Sequence, residues 1–127
     1  MSTARCHTRT QSEYCDILED EIASLVSTVE SVDTTTAITT CPGWTLKDLL
    51  EHVGGVHRWA ANQVRVLTPT RIPSSTIDLG TPSDPTKLAA WLGSSDVSEV
   101  LRAADGDAPM WAWGDDKHAR FWPRRMV

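Results

Sequence analysis

The chain has 127 residues, 40% hydrophobic and 23% charged, the size of one ordinary domain of about 100–150 residues. Twelve Lys and Arg against 17 Asp and Glu leave a formal net charge of −5, which argues against an electrostatic nucleic-acid binder and against a basic membrane-surface module. No apolar run approaches the ~18–20 residues that span a bilayer, and the opening MSTARCHTRTQSEYCD has no apolar core of a secretory signal, so a soluble cytoplasmic protein is expected.

Residues 1–11 are polar and are expected to be flexible. From Ser12 a helical period begins: Tyr14, Ile17, Leu18, Ile22, Leu25, Val26 and Val29 follow three-and-four spacing and predict a first helix over 12–32. Glu13, Asp16, Glu19, Asp20 and Glu21 crowd its first half, where the helix dipole favours negative charge. The Thr-rich stretch that follows, ending in Pro42-Gly43, reads as a connector.

Thr45 reads as an N-cap, with Asp48 three residues on as a weak capping box. Leu46, Leu49, Leu50, Val53, Val56, Ala60, Val64 and Leu67 then predict a second helix over 45–67. Gly54-Gly55 inside it is unfavourable by about 1 kcal/mol per Gly relative to Ala. Two readings stand: close approach of a neighbouring helix or ligand, or a tolerated weak spot. Pro69, Pro73, Gly80 and Pro82 make residues 68–83 a long crossover loop. Asp84-Pro85 opens a third helix, with Leu88, Trp91, Leu92, Val100 and Leu101 as buried candidates and a break at residues 93–96. Residues 105–116 form another loop. A last helix starts near residues 117–120, with Phe121 and Trp122 in its first turns and Pro123 where a helix start tolerates proline. No alternating strand pattern occurs, so the expected fold class is all-α, a helical bundle.

The three cysteines are odd in number and contain no C-x-x-C pair, so free thiols are expected rather than a disulfide scaffold. Cys41, just before the second helix, is one step too early to place with certainty at a helix N-terminus that would lower a thiol pKa. Six Trp against one Tyr and one Phe suggest a well-filled core or a pocket wall.

Imidazole is the commonest protein metal ligand, which singles out His52 and His57. Five residues apart, they point about 140° apart around one helix and cannot both ligate one ion. His52, three past Leu49 and four before Val56, lies at the edge of the inward stripe, while His57 lies nearer the polar side. His52 is therefore the candidate, against the plainer reading of a hydrogen-bonded bundle histidine. Asp48, one turn earlier, could orient the His52 imidazole in addition to capping. His118, the pair Asp115-Asp116, and the cluster Arg120, Arg124 and Arg125 read as solvated. No phosphate loop, dinucleotide fingerprint or serine-hydrolase elbow is present.

Two segments carry a resemblance. The run Cys41-Pro42-Gly43-Trp44-Thr45-Leu46-Lys47-Asp48-Leu49-Leu50-Glu51-His52-Val53-Gly54-Gly55-Val56-His57-Arg58-Trp59 resembles the signature of the mycothiol-dependent maleylpyruvate isomerase family. Ala108-Pro109-Met110-Trp111-Ala112-Trp113-Gly114, followed by Phe121-Trp122-Pro123-Arg124-Arg125-Met126, is similar to that family's second block. The resemblance spans roughly residues 12–127. It implies a DinB-like four-helix bundle with the fourth helix cut short, a divalent metal, usually zinc, with His52 as first ligand and Asp48 beside it, and Trp44 and Trp59 as packing or pocket wall. It further implies mycothiol held as thiolate for addition to an unsaturated electrophile. The family's further ligands, a Glu and a His four apart, fall past Val127, and its C-terminal domain is not in the sequence. A truncated and inactive metal-binding domain is therefore expected. The rival expectation is a non-catalytic helical module that completes its bundle as a homodimer or with a partner chain. No catalytic residue is assigned.

Overall fold

The computed structural model describes residues 9–127; of the segment expected to be flexible, residues 1–11, the first eight lie outside the described residues, while Thr10 and Gln11 belong to the start of the first helix. Its described residues form five α-helices, α1 (Gln11–Val29), α2 (Leu46–Val66), α3 (Leu88–Gly93), α4 (Val97–Ala103) and α5 (Phe121–Met126), with short 3-10 turns at Ser74–Thr76 and Pro85–Lys87. The fold is all-α: among the described residues strand pairing is limited to isolated bridges, Ala37 to Thr45 and Pro109 to His118.

Local chemistry sets the helix ends. Thr10 caps α1: its Oγ1 accepts from Glu13 N–H at 3.1 Å while Glu13 Oε1 accepts from Thr10 N–H at 2.9 Å. The helix thus starts one residue before the sequence expectation and ends three residues earlier, at Val29. The expected cap of α2 is present in full: Thr45 Oγ1 accepts from Asp48 N–H, and Asp48 Oδ2 accepts from Thr45 N–H at 2.9 Å. Leu67 ends α2 in the left-handed region at φ 48°. Asp84 caps the turn opened by Pro85, and the expected break falls between α3 and α4. Pro123 sits in the first turn of α5, where its missing N–H removes no intrahelical bond.

The two long helices both pack against α3, α4 and α5. One core joins Cys15 and Leu18 of α1, Trp59, Ala61 and Val64 of α2, Val97 and Leu101 of α4, and Trp122 of α5. A second joins Val29, Leu46, Leu50, Leu88, Trp91 and Leu92. The Gln11 side chain donates to the carbonyls of Leu101 (2.6 Å) and Ala104 (2.8 Å), satisfying the end of α4. Gly54 is required by close approach: an added Cβ would lie within 2.9 Å of three ring carbons of Trp91. This decides the open question for Gly54 in favour of a neighbouring helix. Gly55 is different, since its Cβ would meet only Leu79 Cδ1, at 3.4 Å.

Candidate functional site

Four tryptophans converge where α2, α5 and the loop before α5 meet. Trp59 and Trp113 stack at 5.2 Å and 30°, and Trp122 stands edge-on to Trp59 at 5.6 Å. Trp111 lies 6.0 Å from both Trp59 and Trp122. The loop that delivers them is a tight irregular hairpin. Met110 N–H donates to Lys117 O, Ala119 N–H to Ala108 O, and Trp111 N–H to Thr68 O at 2.7 Å, tying the hairpin to the end of α2. The buried Trp59 finds a partner for its indole N–H in Ile72 O, at 2.6 Å. Trp113 stays 45% exposed although its ring also meets Trp122 at 5.1 Å.

Trp113 borders two open grooves. The first, about 280 Å³, runs between α2 and the crossover loop; Glu51, His52, Gly55 and Trp59 meet Arg71, Ser74 and Leu79 there, with Trp113 at the end. The second, about 340 Å³, lies toward α5, where His52, Val53, Val56 and His57 face Trp113, Arg125 and Met126. His52 and Val56 form the ridge between them. Arg71 lies over Trp59 at 5.5 Å from the ring centroid and Arg125 over Trp113 at 5.2 Å. Neither guanidinium pairs with a carboxylate among the described residues, whereas Arg65, Arg102 and Arg120 all do.

The two helix histidines exchange the places expected of them. His52 is exposed; its ring meets Trp44 edge-on at 5.5 Å, and neither ring nitrogen forms a hydrogen bond among the described residues. His57 is the buried one, 8% exposed, and its Nδ1 has no hydrogen-bond partner. Burial, with Arg58 adding, pushes its pKa down to about 4, so it is neutral. An unpaired buried polar atom costs about 1–3 kcal/mol. The reversal follows from packing: α3, α4 and α5 all touch α2, so its buried arc is wider than one stripe. His57, seven past Leu50 and seven before Val64, stands inside that arc.

Asp48 is occupied by the cap. Its Oδ2 accepts from Thr45 N–H and Oγ1, and the first of these holds its carboxyl below the usual carboxylate range. It makes no hydrogen bond to His52. Glu51 pairs with Lys47 at 3.0 Å. Among the described residues no three His, Cys, Asp or Glu side chains gather to hold a metal ion. Helix α2 therefore offers one exposed imidazole, and the described residues do not by themselves fit a complete divalent-metal site.

Of the residues near α5 expected to be solvated, Asp116, His118 and Arg120 need correction. Asp116 accepts twice from Arg120, at 2.9 Å each, and lies 2.8 Å from His118 Nδ1; Arg120 also reaches Asp107. His118, Asp116 and Arg120 are thus a partly buried network that fixes the start of α5, while Asp115, Arg124 and Arg125 are exposed. A charge pair four residues apart, Asp116 to Arg120, was the readable signal. Cys15 and Cys41 form no disulfide among the described residues. Cys15 is buried on α1; Cys6 and His7 lie outside the described residues. Sequence reasoning missed Arg71 and Trp113 as groove residues, since nothing in their spacing ties either to His52.

The geometry defines a class: an all-α domain whose long second helix presents an unpartnered imidazole between two open, tryptophan-walled grooves of a size suited to small molecules. Within that class the chain belongs to the mycothiol maleylpyruvate isomerase N-terminal domain family, which matches residues 15–127. No curated protein and no solved structure matches it. No helix among the described residues is long and apolar enough to cross a membrane.

Proposed function

We propose that this chain is the N-terminal domain of a mycothiol-dependent maleylpyruvate isomerase-like enzyme, and that the first groove is where its small thiol and electrophilic substrate meet. The observation that carries the reading is the family match over residues 15–127, which favours an enzyme domain over a free-standing interaction module. The groove supports it in kind. Trp59 and Trp113 form an apolar wall, and Arg71 supplies a positive charge without a carboxylate partner, which suits an electrophile with an apolar body and a negative end.

In this reading His52 would supply one nitrogen to the divalent ion that the family resemblance implies, zinc by that same resemblance. The remaining ligands of such a site could be supplied by a second copy of the chain, with His52 from each. Asp48 steadies the His52 turn chiefly by holding the α2 cap, with Oδ1 left to accept a further bond. α3 and α4 act as two halves of one helix of a DinB-like four-helix bundle, and α5 as the beginning of another. That Cys15 and Cys41 form no disulfide among the described residues agrees with a reducing cytoplasm.

The test is zinc content and mycothiol binding of the purified chain beside His52→Ala. Metal that copurifies and is lost in the variant, with thiol binding lost alongside it, supports the reading. Metal content equal in both proteins overturns the role of His52. Thiol binding that survives both His52→Ala and Arg71→Gln overturns the groove.

A further inference from the structure

Past Thr68, the crossover loop is fastened to α2 at one residue, Ile72. Its N–H donates to Gln63 Oε1 at 2.9 Å, and its carbonyl accepts from the Trp59 indole at 2.6 Å. Gln63 and Trp59 lie four residues apart on α2, so they reach the loop from one face. Both polar groups of the Ile72 main chain are thereby held by side chains of the helix. Between Thr70 and Asp78 no other loop residue is hydrogen-bonded to an α-helix among the described residues. Residues of the first groove flank this point: Arg71 precedes it, its guanidinium 5.5 Å over Trp59, and Ser74 follows two positions on. Gln63 lines no part of the groove; it is fully buried, and its Nε2 has no partner. For packing alone an apolar side chain of that length would serve better, since burying an unpaired amide nitrogen is unfavourable. What the glutamine adds is the acceptor that Ile72 N–H uses.

We propose that Gln63 is a positioning residue of the first groove: with Trp59 it clamps the Ile72 main chain, and the clamp fixes where Arg71 and Ser74 stand. Arg71 has no carboxylate partner to hold it among the described residues, so its place over Trp59 depends on the backbone that carries it. A cation–π contact at an exposed site is weak, and a side chain of this length has many rotamers to lose. Fixing the peptide group that follows its Cα removes the main-chain part of that freedom before any ligand arrives, which lowers the ordering cost of binding. Trp59 then has two uses, its ring as a wall of the groove and its indole N–H as the other half of the clamp. What the groove takes rests on the function proposed above; that Gln63 sets the place of Arg71 does not.

The clamped N–H belongs to the Arg71–Ile72 peptide bond, which is itself a trypsin site. Initial rates of limited trypsinolysis of the 127-residue chain therefore read the clamp, with fragments identified by mass spectrometry. Cleavage at Arg58, which needs the middle of α2 to unfold, reports global stability alongside it. Gln63→Met keeps the length and removes the acceptor. It should raise cleavage at Arg71 about fivefold, the worth of one net hydrogen bond, while cleavage at Arg58 holds or falls. It should also move the Arg71 side-chain NMR signals out of the ring-current field of Trp59. Gln63→Glu keeps an acceptor for Ile72 N–H but buries an acid, so it should melt lower and yet retain the parent's Arg71 cleavage rate and signals. A residue that served packing alone would give the reverse order, with the less stable variant the looser one. An unchanged Arg71 cleavage rate in Gln63→Met overturns the proposal, as do unmoved Arg71 signals. Loosening by Gln63→Glu as great as by Gln63→Met overturns it too. These readouts use neither ligand nor metal, so failure of the proposed function in its own test leaves them unmoved, and the two failures stay distinguishable.

Discussion

Replacing each of the adjacent glycines of α2 by alanine should move stability in opposite directions. In an exposed helix interior both changes are favourable by about 1 kcal/mol, because alanine loses less backbone freedom on folding. At Gly55 little opposes that gain: the new methyl meets Leu79 Cδ1 at 3.4 Å, an ordinary contact. At Gly54 the methyl enters the six-membered ring of Trp91, within 2.9 Å of three of its carbons. The ring is not free to step aside. Its indole N–H donates to Leu79 O at 3.1 Å, the Arg58 guanidinium lies 4.2 Å over it, and Arg58 also donates to the Trp91 carbonyl at 2.6 Å. Overpacking of this kind costs about 1–3 kcal/mol, and the closeness of the contact puts Gly54 at the upper end. The net expectation is a loss of about 1–2 kcal/mol for Gly54→Ala and a gain of about 0.5–1 kcal/mol for Gly55→Ala. In a domain of this size that is a fall of about 4–8 °C against a rise of about 2–4 °C. Urea and thermal denaturation followed by far-UV circular dichroism measure both. Trimming the ring with Trp91→Phe should shrink the Gly54→Ala penalty and leave the Gly55→Ala gain unchanged. Shifts of the same sign at the two positions, or a Gly54 penalty indifferent to Trp91→Phe, would refute the reasoning.

Acid should weaken the fold through His57. Its folded pKa of about 4 lies below the 6.5 of an ordinary histidine, so the unfolded chain takes up the proton first. Stability is full above pH 6.5 and falls as pH drops toward 4, by about 3 kcal/mol in total. His57→Leu should flatten the slope between pH 6.5 and 4.5, and an unchanged slope in denaturant midpoints would count against the buried neutral imidazole. Thr45→Ala removes the cap of α2 and should cost about 1 kcal/mol in the same assay, with no loss meaning that the cap seen here does not hold the helix. His52→Ala, by contrast, alters an exposed side chain and should leave the metal-free melting temperature within about 2 °C of the parent; a larger drop would mean that the Trp44–His52 contact supports the fold.

What the sequence determined by itself was short-ranged. Apolar spacing located the two long helices, Thr45 with Asp48 marked the start of α2, Asp84-Pro85 marked the next turn, and residues 93–96 marked the break between α3 and α4. Each signal acts over at most a few turns of backbone, so it survives without knowledge of neighbours. The two blocks around His52 and Trp113 likewise sufficed to suggest the family. Only the tertiary structure decided which histidine is buried. A single-stripe reading assumes one packed face, but α2 is touched by α3, α4 and α5, and the added contact draws His57 inward and leaves His52 at the surface. Only the tertiary structure, too, brought Arg71 from the crossover loop, Trp113 from the hairpin and Arg125 from α5 to the two sides of one helical ridge. Those residues are separated by loops without periodicity, and their meeting is fixed by the packing of tryptophans around Trp59, a long-range choice that no local pattern encodes.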